Sequence, residues 1–214
     1  MLVHAHVGPA APADGADFPV RAGSEGQVIF GQLHGAHFEA AKRGKVFIAS
    51  TVVAGLAVPI STTTAPTVAL WNPSSSGKLV IPISYAAAYV SGTTVAGAIG
   101  LSYAVGAGDG VSTGAIFSAF AKSTPLAARV GDVAANKAFV SVAGTNTLTA
   151  AGTWFYTMFQ EFAAVAATAI AATPTVHVFD GTLMVPPGAA IWATGSAASG
   201  ALLAQTLVWE EVDL

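Results

Sequence analysis

From residue 67 to residue 212, short apolar runs alternate with clusters of Gly, Pro, Ser, Asn and Asp. The runs at 67–71, 78–85, 98–103, 138–142, 154–162, 175–179, 183–185, 189–194 and 202–212 are rich in Val, Ile and aromatic residues, the make-up of β-strands. Turn chemistry separates them at Asn72-Pro73-Ser74-Ser75-Ser76-Gly77, Asp109-Gly110, Asp180-Gly181 and Pro186-Pro187-Gly188. Gly supplies a positive φ, Pro187 presets the first central position of a type II turn, and Asp-Gly favours a two-residue hairpin. Many short strands without interleaved helices predict an all-β, two-sheet sandwich and not βαβ units. Ala-rich stretches at 115–129 and 163–172 have helical propensity. Thr124-Pro125 interrupts the first, and Thr168, Thr173 and Pro174 weaken the second, so at most one or two short helices are expected. Residues 1–26, rich in Ala, Pro, Gly and Asp, read as an extended arm ahead of a single domain over 27–214.

Two strands are apolar on both sides. In 154–162, one side presents Trp154, Tyr156, Met158, Gln160 and Phe162, and the other Phe155, Thr157, Phe159 and Glu161. In 202–212, Leu203, Gln205, Leu207, Trp209 and Glu211 share one side, with Leu202, Ala204, Thr206, Val208 and Val212 on the other. A sandwich needs only one apolar face per sheet, so something must cover the second: a loop or arm of the same chain, or a neighbouring subunit.

Composition favours the subunit. Hydrophobic residues make up 53% of the 214 and charged ones only 9%, against roughly 25% charged in ordinary soluble domains. Eight Lys+Arg stand against eleven Asp+Glu. That balance has no basic block of the kind that nucleic-acid binding rests on; the one basic cluster, Lys42-Arg43-Gly44-Lys45, suits an acidic patch on a partner. There is no cysteine, which removes disulfides, thiol catalysis and Cys-ligated metals. The apolar stretch 79–108 is broken by Pro82, Ser84, Ser91, Gly92, Thr93, Thr94, Gly97, Gly100 and Ser102, and so does not read as a membrane span. Met1-Leu2-Val3-His4-Ala5-His6 lacks the basic and apolar regions of a signal peptide, so synthesis in the cytosol is expected.

Candidate chemistry is sparse. Gly110-Val111-Ser112-Thr113-Gly114 matches a nucleophile elbow, with Asp132 and His177 following in hydrolase order. The elbow needs a strained strand-to-helix turn, and a flexible Gly/Ser loop is the better reading here. His4, His6 and the His34-Gly35-Ala36-His37-Phe38-Glu39 cluster offer imidazole and carboxylate ligands, and in the second cluster one histidine per subunit would suffice on a threefold axis; a partly exposed polar loop is the better reading of it. Gly106-x-Gly108-x-Gly110 has neither the spacing nor the βαβ context of a dinucleotide site. Glu210, Glu211 and Asp213 read as the solvated end of the last strand. No catalytic, cofactor-binding or metal residue is therefore assigned, no cofactor is expected, and the chain is expected not to be an enzyme.

The segment Gly31-Gln32-Leu33-His34-Gly35-Ala36-His37-Phe38-Glu39-Ala40-Ala41-Lys42-Arg43-Gly44-Lys45-Val46-Phe47, followed by Leu70-Trp71-Asn72-Pro73-Ser74-Ser75-Ser76-Gly77-Lys78-Leu79, resembles the N-terminal half of jelly-roll virion proteins of tailed bacteriophages. The closing Gly181-Thr182-Leu183-Met184-Val185-Pro186-Pro187-Gly188-Ala189-Ala190 and Leu207-Val208-Trp209-Glu210-Glu211 are similar to the last strands of that group. The resemblance runs over residues 27–214 in pattern, and its motifs are turns and strand ends. It implies a jelly roll that forms a homotrimer on the virion and acts as a capsid cement or decoration protein, bridging major capsid subunits, with the arm reaching along the shell. A head-fibre, collar or tail-associated jelly roll, or a trimeric receptor- or glycan-binding module, are the alternatives.

Overall fold

The computed structural model describes residues 36–106, 115–161 and 175–214. The expected arm over 1–26 and the Ala-rich stretch 163–172 lie outside them. The chain divides into two units, Met1–Phe38 and Glu39–Leu214, and the second holds every strand among the described residues.

Among the described residues a single short helix, α1 (Phe38–Lys42), precedes the strands, with Glu39 in its first turn and Lys42 in its last, signs that suit the helix dipole. The first sheet runs β11 (Thr175–Val178), β4 (Lys78–Ser91), β13 (Leu202–Asp213), β1 (Val46–Ser50), β7 (Leu126–Ala127), with β2 (Leu56–Ala57) pairing the start of β13. The second runs β10 (Thr153–Glu161), β5 (Gly97–Val105), β12 (Ala189–Gly195), β3 (Ala69–Asn72), β8 (Phe139–Ser141). Short β6 (Phe117–Ala119) and β9 (Thr147–Leu148) form a separate ribbon. All the ladders are antiparallel, and the expected all-β, two-sheet sandwich is what forms. Among the described residues no helix is long and apolar enough to cross a membrane.

Eight strands carry a nested order. Taking β1, β3, β4, β5, β10, β11, β12 and β13 in sequence, the first pairs with the last, the second with the seventh, the third with the sixth and the fourth with the fifth. The chain changes sheet at nearly every connection. The Asn72-Pro73 corner shows how one crossing is held: buried Asn72 ends β3, and its Nδ2 donates to Lys78 O and Val185 O, both at 2.8 Å. At the neighbouring corner, Ala189 N donates to Pro186 O at 3.1 Å and Gly188 has φ +81°. That is the type II turn read from Pro187-Gly188.

Between the sheets lies the main core, with Phe47, Leu70, Ile99, Leu101, Ile191, Leu207 and Trp209. A second core lies on the outer side of the second sheet, where Trp71 and Trp192 meet Ile116, Phe117 and Leu148. Ring centroids of Phe117, Phe120 and Phe139 lie 5.5–5.6 Å from Trp71. Every residue of β3 and β12 is consequently buried. The Ala-rich stretch 115–129 forms no helix but β6, β7 and the connections around them, because Ile116 and Phe117 are drawn onto the tryptophans and tertiary packing overrides alanine's propensity. The outer face of this sheet is covered at β3 and β12 by the chain itself.

The two-sided reading of 154–162 changes as well. β10 pairs β5 with irregularities between Trp154 and Tyr156 and between Thr157 and Phe159, and each bulge shifts the inward-outward alternation. Phe159 thereby joins Tyr156 and Met158 against the core, stacking on Tyr85 at 6.1 Å. Leu183–Val185 was expected as a strand, but only Val185 bridges, to Val80. Both β11 and Val185 run antiparallel to β4, so the Asp180-Gly181 turn does not make a hairpin. It closes Phe179 to Thr182 with a 2.9 Å bond and loops 179–184 out of one continuous edge. β1, β2, β6, β7 and β9 have no counterpart in the expected strands.

Gly100 sits where the bulged β10 presses on β5. A Cβ there would stand 2.1 Å from Tyr156 O and 2.5 Å from the Trp154 ring. Gly100→Ala should destabilise the fold by about 1–3 kcal/mol, the usual range for overpacking, read as a thermal midpoint lowered by roughly 2–4 °C per kcal/mol.

Candidate functional site

The structure does not assemble the elbow residues. Asp132 follows β7 at one edge of the first sheet, bonded to Arg129 Nε at 2.6 Å. His177 lies on β11 at the opposite edge, its Nε2 3.2 Å from the Tyr156 hydroxyl. Four inter-strand steps separate those edges, about 19 Å at 4.8 Å per step, so Asp132 does not orient His177 wherever Ser112 stands. Ser112, Gly108 and Gly110 lie outside the described residues. So do His4, His6 and His34. Glu39 is exposed on α1, and among the described residues no group of three His, Asp or Glu side chains is placed to hold a metal. Gly106 donates its N–H to Gly188 O at 2.9 Å, a structural corner.

The C-terminal carboxylates divide into two roles. Asp213 is the exposed one: it pairs with Lys78 and, at 3.4 Å, with Lys45. Its hydrogen bond from Lys78 holds its pKa below the ordinary carboxylate value, and the same bond raises that of Lys78. Glu211, expected in solvent, is 2% exposed. It accepts the backbone N–H groups of Lys137 at 2.7 Å and Ala138 at 3.0 Å, and the Trp209 indole N–H at 3.3 Å. Strand alternation is the physical reason, since Glu211 falls on the inward side with Leu203, Leu207 and Trp209. The carboxylate anchors the chain just before β8 and has no free oxygen edge for chemistry.

What the fold does offer is apolar surface of two kinds. The first is the outer face of the first sheet. One rung runs Val178, Ser84, Val208, Ile48 and the next Val176, Ala86, Thr206, Ser50. Neither contains a charge. Val176 and Val178 are each 60% exposed, and the β13 residues here are half-buried where those of β12 are fully buried. The second is a groove of about 300 Å³ at one end of the inter-sheet core, lined by Tyr103, Val105, Phe155, Met184, Pro186 and Ile191 among others, none of them charged. Its depth follows from register. Tyr103 stands opposite Ile191 and Val105 opposite Ala189, core residues both, so the groove is the main core left open at its end. Tyr103 and Phe155 pack edge to face at 5.2 Å along one wall, and 183–186, carried past by the bulge after β11, forms the other. Beside it, the rings of Tyr156, His177 and Phe179 close the gap between edge strands β10 and β11. The groove residues carried a faint sequence signal in the surplus aromatic Phe155 and in Met184 before Pro186-Pro187.

No family model, curated protein or solved structure matches the chain.

Two outcomes follow for the carboxylates. Glu211→Ala leaves three buried donors unpaired and should lower stability by about 2–4 kcal/mol, with faster hydrogen exchange at Lys137 and Ala138; Glu211→Gln should recover part of it. The Asp213 contribution is complete above the unfolded carboxylate pKa and is lost as pH falls through its lowered folded value. That of Lys78 is complete below the unfolded lysine pKa and is lost as pH rises through its raised folded value. Asp213→Asn should therefore lower the thermal midpoint slightly at neutral pH and flatten its fall below about pH 4.

Proposed function

We propose that the chain is a jelly-roll structural subunit of a larger protein assembly. The nested strand order supports the jelly roll, since eight strands paired first to last and folded over into two sheets make two Greek keys. The particular assembly is the head of a tailed bacteriophage, as the motifs around Asn72-Pro73 and Pro186-Pro187-Gly188 imply, and the role is that of a non-enzymatic capsid cement or decoration protein. The observation that carries this reading is the central outer face of the first sheet, whose two rungs through Val208 and Thr206 hold no charge, Glu210 being the outward charge on the adjoining rung of β13. The second sheet buries its outer tryptophans under the chain's own 115–149 segment, whereas the first presents rungs of Val, Ala, Ser, Thr and Ile to the outside. A broad, flat surface of that kind suits dry contact with another protein. Function is then mechanical: a capsid subunit bridged by this face must break extra apolar contact before the shell opens, with no bond made or broken.

Quantifying the protein in purified virions tests the reading. Hundreds of copies per head are expected, and heads lacking it should open at lower temperature. Thr206→Lys, which places a charge in the middle of the face, should leave the fold intact and release the protein from heads. A count of a few copies per particle would overturn the cement role in favour of a head-fibre, collar or tail position.

A further inference from the structure

We infer that the groove walled by Tyr103, Phe155 and Met184 is a receptor for an extended proline-rich segment, and that its ligand is the chain's own Pro9-Ala10-Ala11-Pro12.

The lining has the chemistry for such a ligand. Polyproline-II segments bind aromatic-lined grooves, to which they bring a ridge of proline rings and backbone carbonyls that make no internal hydrogen bond. Tyr103 and Phe155, packed edge to face and 40% and 38% exposed, supply the aromatic wall, with Met184 and Pro186 on the other side. The Tyr103 hydroxyl is the one polar side-chain group of the lining, a donor for a ligand carbonyl. No charged side chain lines the groove, so a charge brought there would be desolvated without compensation.

The sequence holds one segment that meets these demands. Of the eleven prolines, only Pro9 and Pro12 stand three residues apart. Three residues make one polyproline-II turn of about 9 Å, so both rings fall on one edge of the segment. Proline's fixed φ, and the extended bias it places on Gly8 and Ala11 before it, set much of that shape in advance and lower the cost of ordering on binding. Residues 1–13 contain no Asp, Glu, Lys or Arg, matching the uncharged groove. The other apolar stretches ahead of α1 fit less well: Phe18-Pro19-Val20 lies between Asp17 and Arg21, and Val28-Ile29-Phe30 has no proline.

Reach is ample. The described chain starts at Ala36. Residues 13–38, between Pro12 and Glu39, span up to about 85 Å when extended, against about 19 Å across the first sheet. A ligand carried on the chain itself stands at an effective concentration on the order of millimolar, so a modest intrinsic affinity fills the groove.

Two measurements on the full-length chain test this. Met184, 55% exposed at the groove, reports occupancy, and Met158, packed against the core, is the internal reference. In dilute hydrogen peroxide, Pro9→Asp/Pro12→Asp should form sulfoxide at Met184 several-fold faster than the parent, mapped by peptide mass, with Met158 unchanged. Equal Met184 rates would overturn the proposal, as would acceleration at both methionines, which would make the prolines supports of the whole fold. The chain has no cysteine, so Ala11→Cys with Val105→Cys places one thiol in the segment and one at the groove, where Val105 is 71% exposed. Mild oxidation should join this pair and leave Ala11→Cys with Val53→Cys unjoined. Val53 is 93% exposed, but its turn leads into β2 beside Leu203, whereas the groove's Val185 bridges Val80 opposite Glu211, at the other end of β13. A product of one chain or of several supports the proposal alike, and its mass tells which copy lends the segment. Joining of both pairs equally, or of neither, would overturn it. Phage heads enter neither measurement, so the outcome is independent of the capsid reading.

Discussion

The last strand has to enter the sheet between two strands formed much earlier in the chain. β13 pairs β4 along its whole length on one side and β1 and β2 on the other, so the first sheet stays split until the C-terminus arrives. Such non-local pairing carries a loop-closure cost before any contact is gained. Register must then be fixed, because a slip of one residue exchanges the two faces of the strand. Buried polar groups on the inner side do this. Gln205 accepts the Tyr85 hydroxyl at 2.6 Å and donates to Leu56 O at 2.9 Å, and Glu211 receives the donors before β8. A slipped strand would leave Gln205 and Glu211 outside and Tyr85 without its partner, in a place where burial already drives the phenol pKa far upward. Apolar residues supply the attraction, and these two polar ones select the alignment.

With β13 in place, the two sheets solve the problem of their outer faces differently. Trp71 and Trp192 commit the second sheet to a roof, since an outward indole on a central strand is large apolar surface, and the 115–149 segment supplies Ile116, Phe117 and Leu148 to meet it. The outer residues on the two central rungs of the first sheet are small or β-branched, and each of these rungs loses little by facing water. This is why so little charge suffices. Lys78, Lys45 and Asp213 cluster at one end, with Glu210 outward on β13 near them, and Arg129 and Asp132 lie at one edge, so the two central rungs stay folded without charge.

What could be read in the sequence was whatever depended on local periodicity and turn chemistry. The core strands and the Pro187-Gly188 turn follow from alternation and from proline's fixed φ, and the inward side of β13 was read correctly down to Glu211. Glu211 was then misjudged because acidic residues near a C-terminus usually face water; the alternation already placed it beside Trp209. The bulges of β10, the short strands β6 and β7 within an Ala-rich stretch, and the groove were not legible. Each depends on a partner distant in sequence: Gly100 yielding space to Tyr156, the tryptophans claiming Phe117, and the 179–184 bulge carrying Met184 past Phe155.

That bulge links edge protection to the shape of the groove. β11 is an edge strand, and an uninterrupted flat edge with exposed valines invites strand addition. Phe179-Asp180-Gly181-Thr182 turns the backbone out of line before Val185 rejoins Val80, leaving too short a run of free N–H and C=O groups for a long ladder. The inner side of the same edge is closed by the rings of Tyr156, His177 and Phe179. The displaced residues become the groove wall. The turn that interrupts the edge ladder is thus the same one that sets Met184 and Pro186 beside Tyr103 and Phe155 and leaves the end of the core open as a groove.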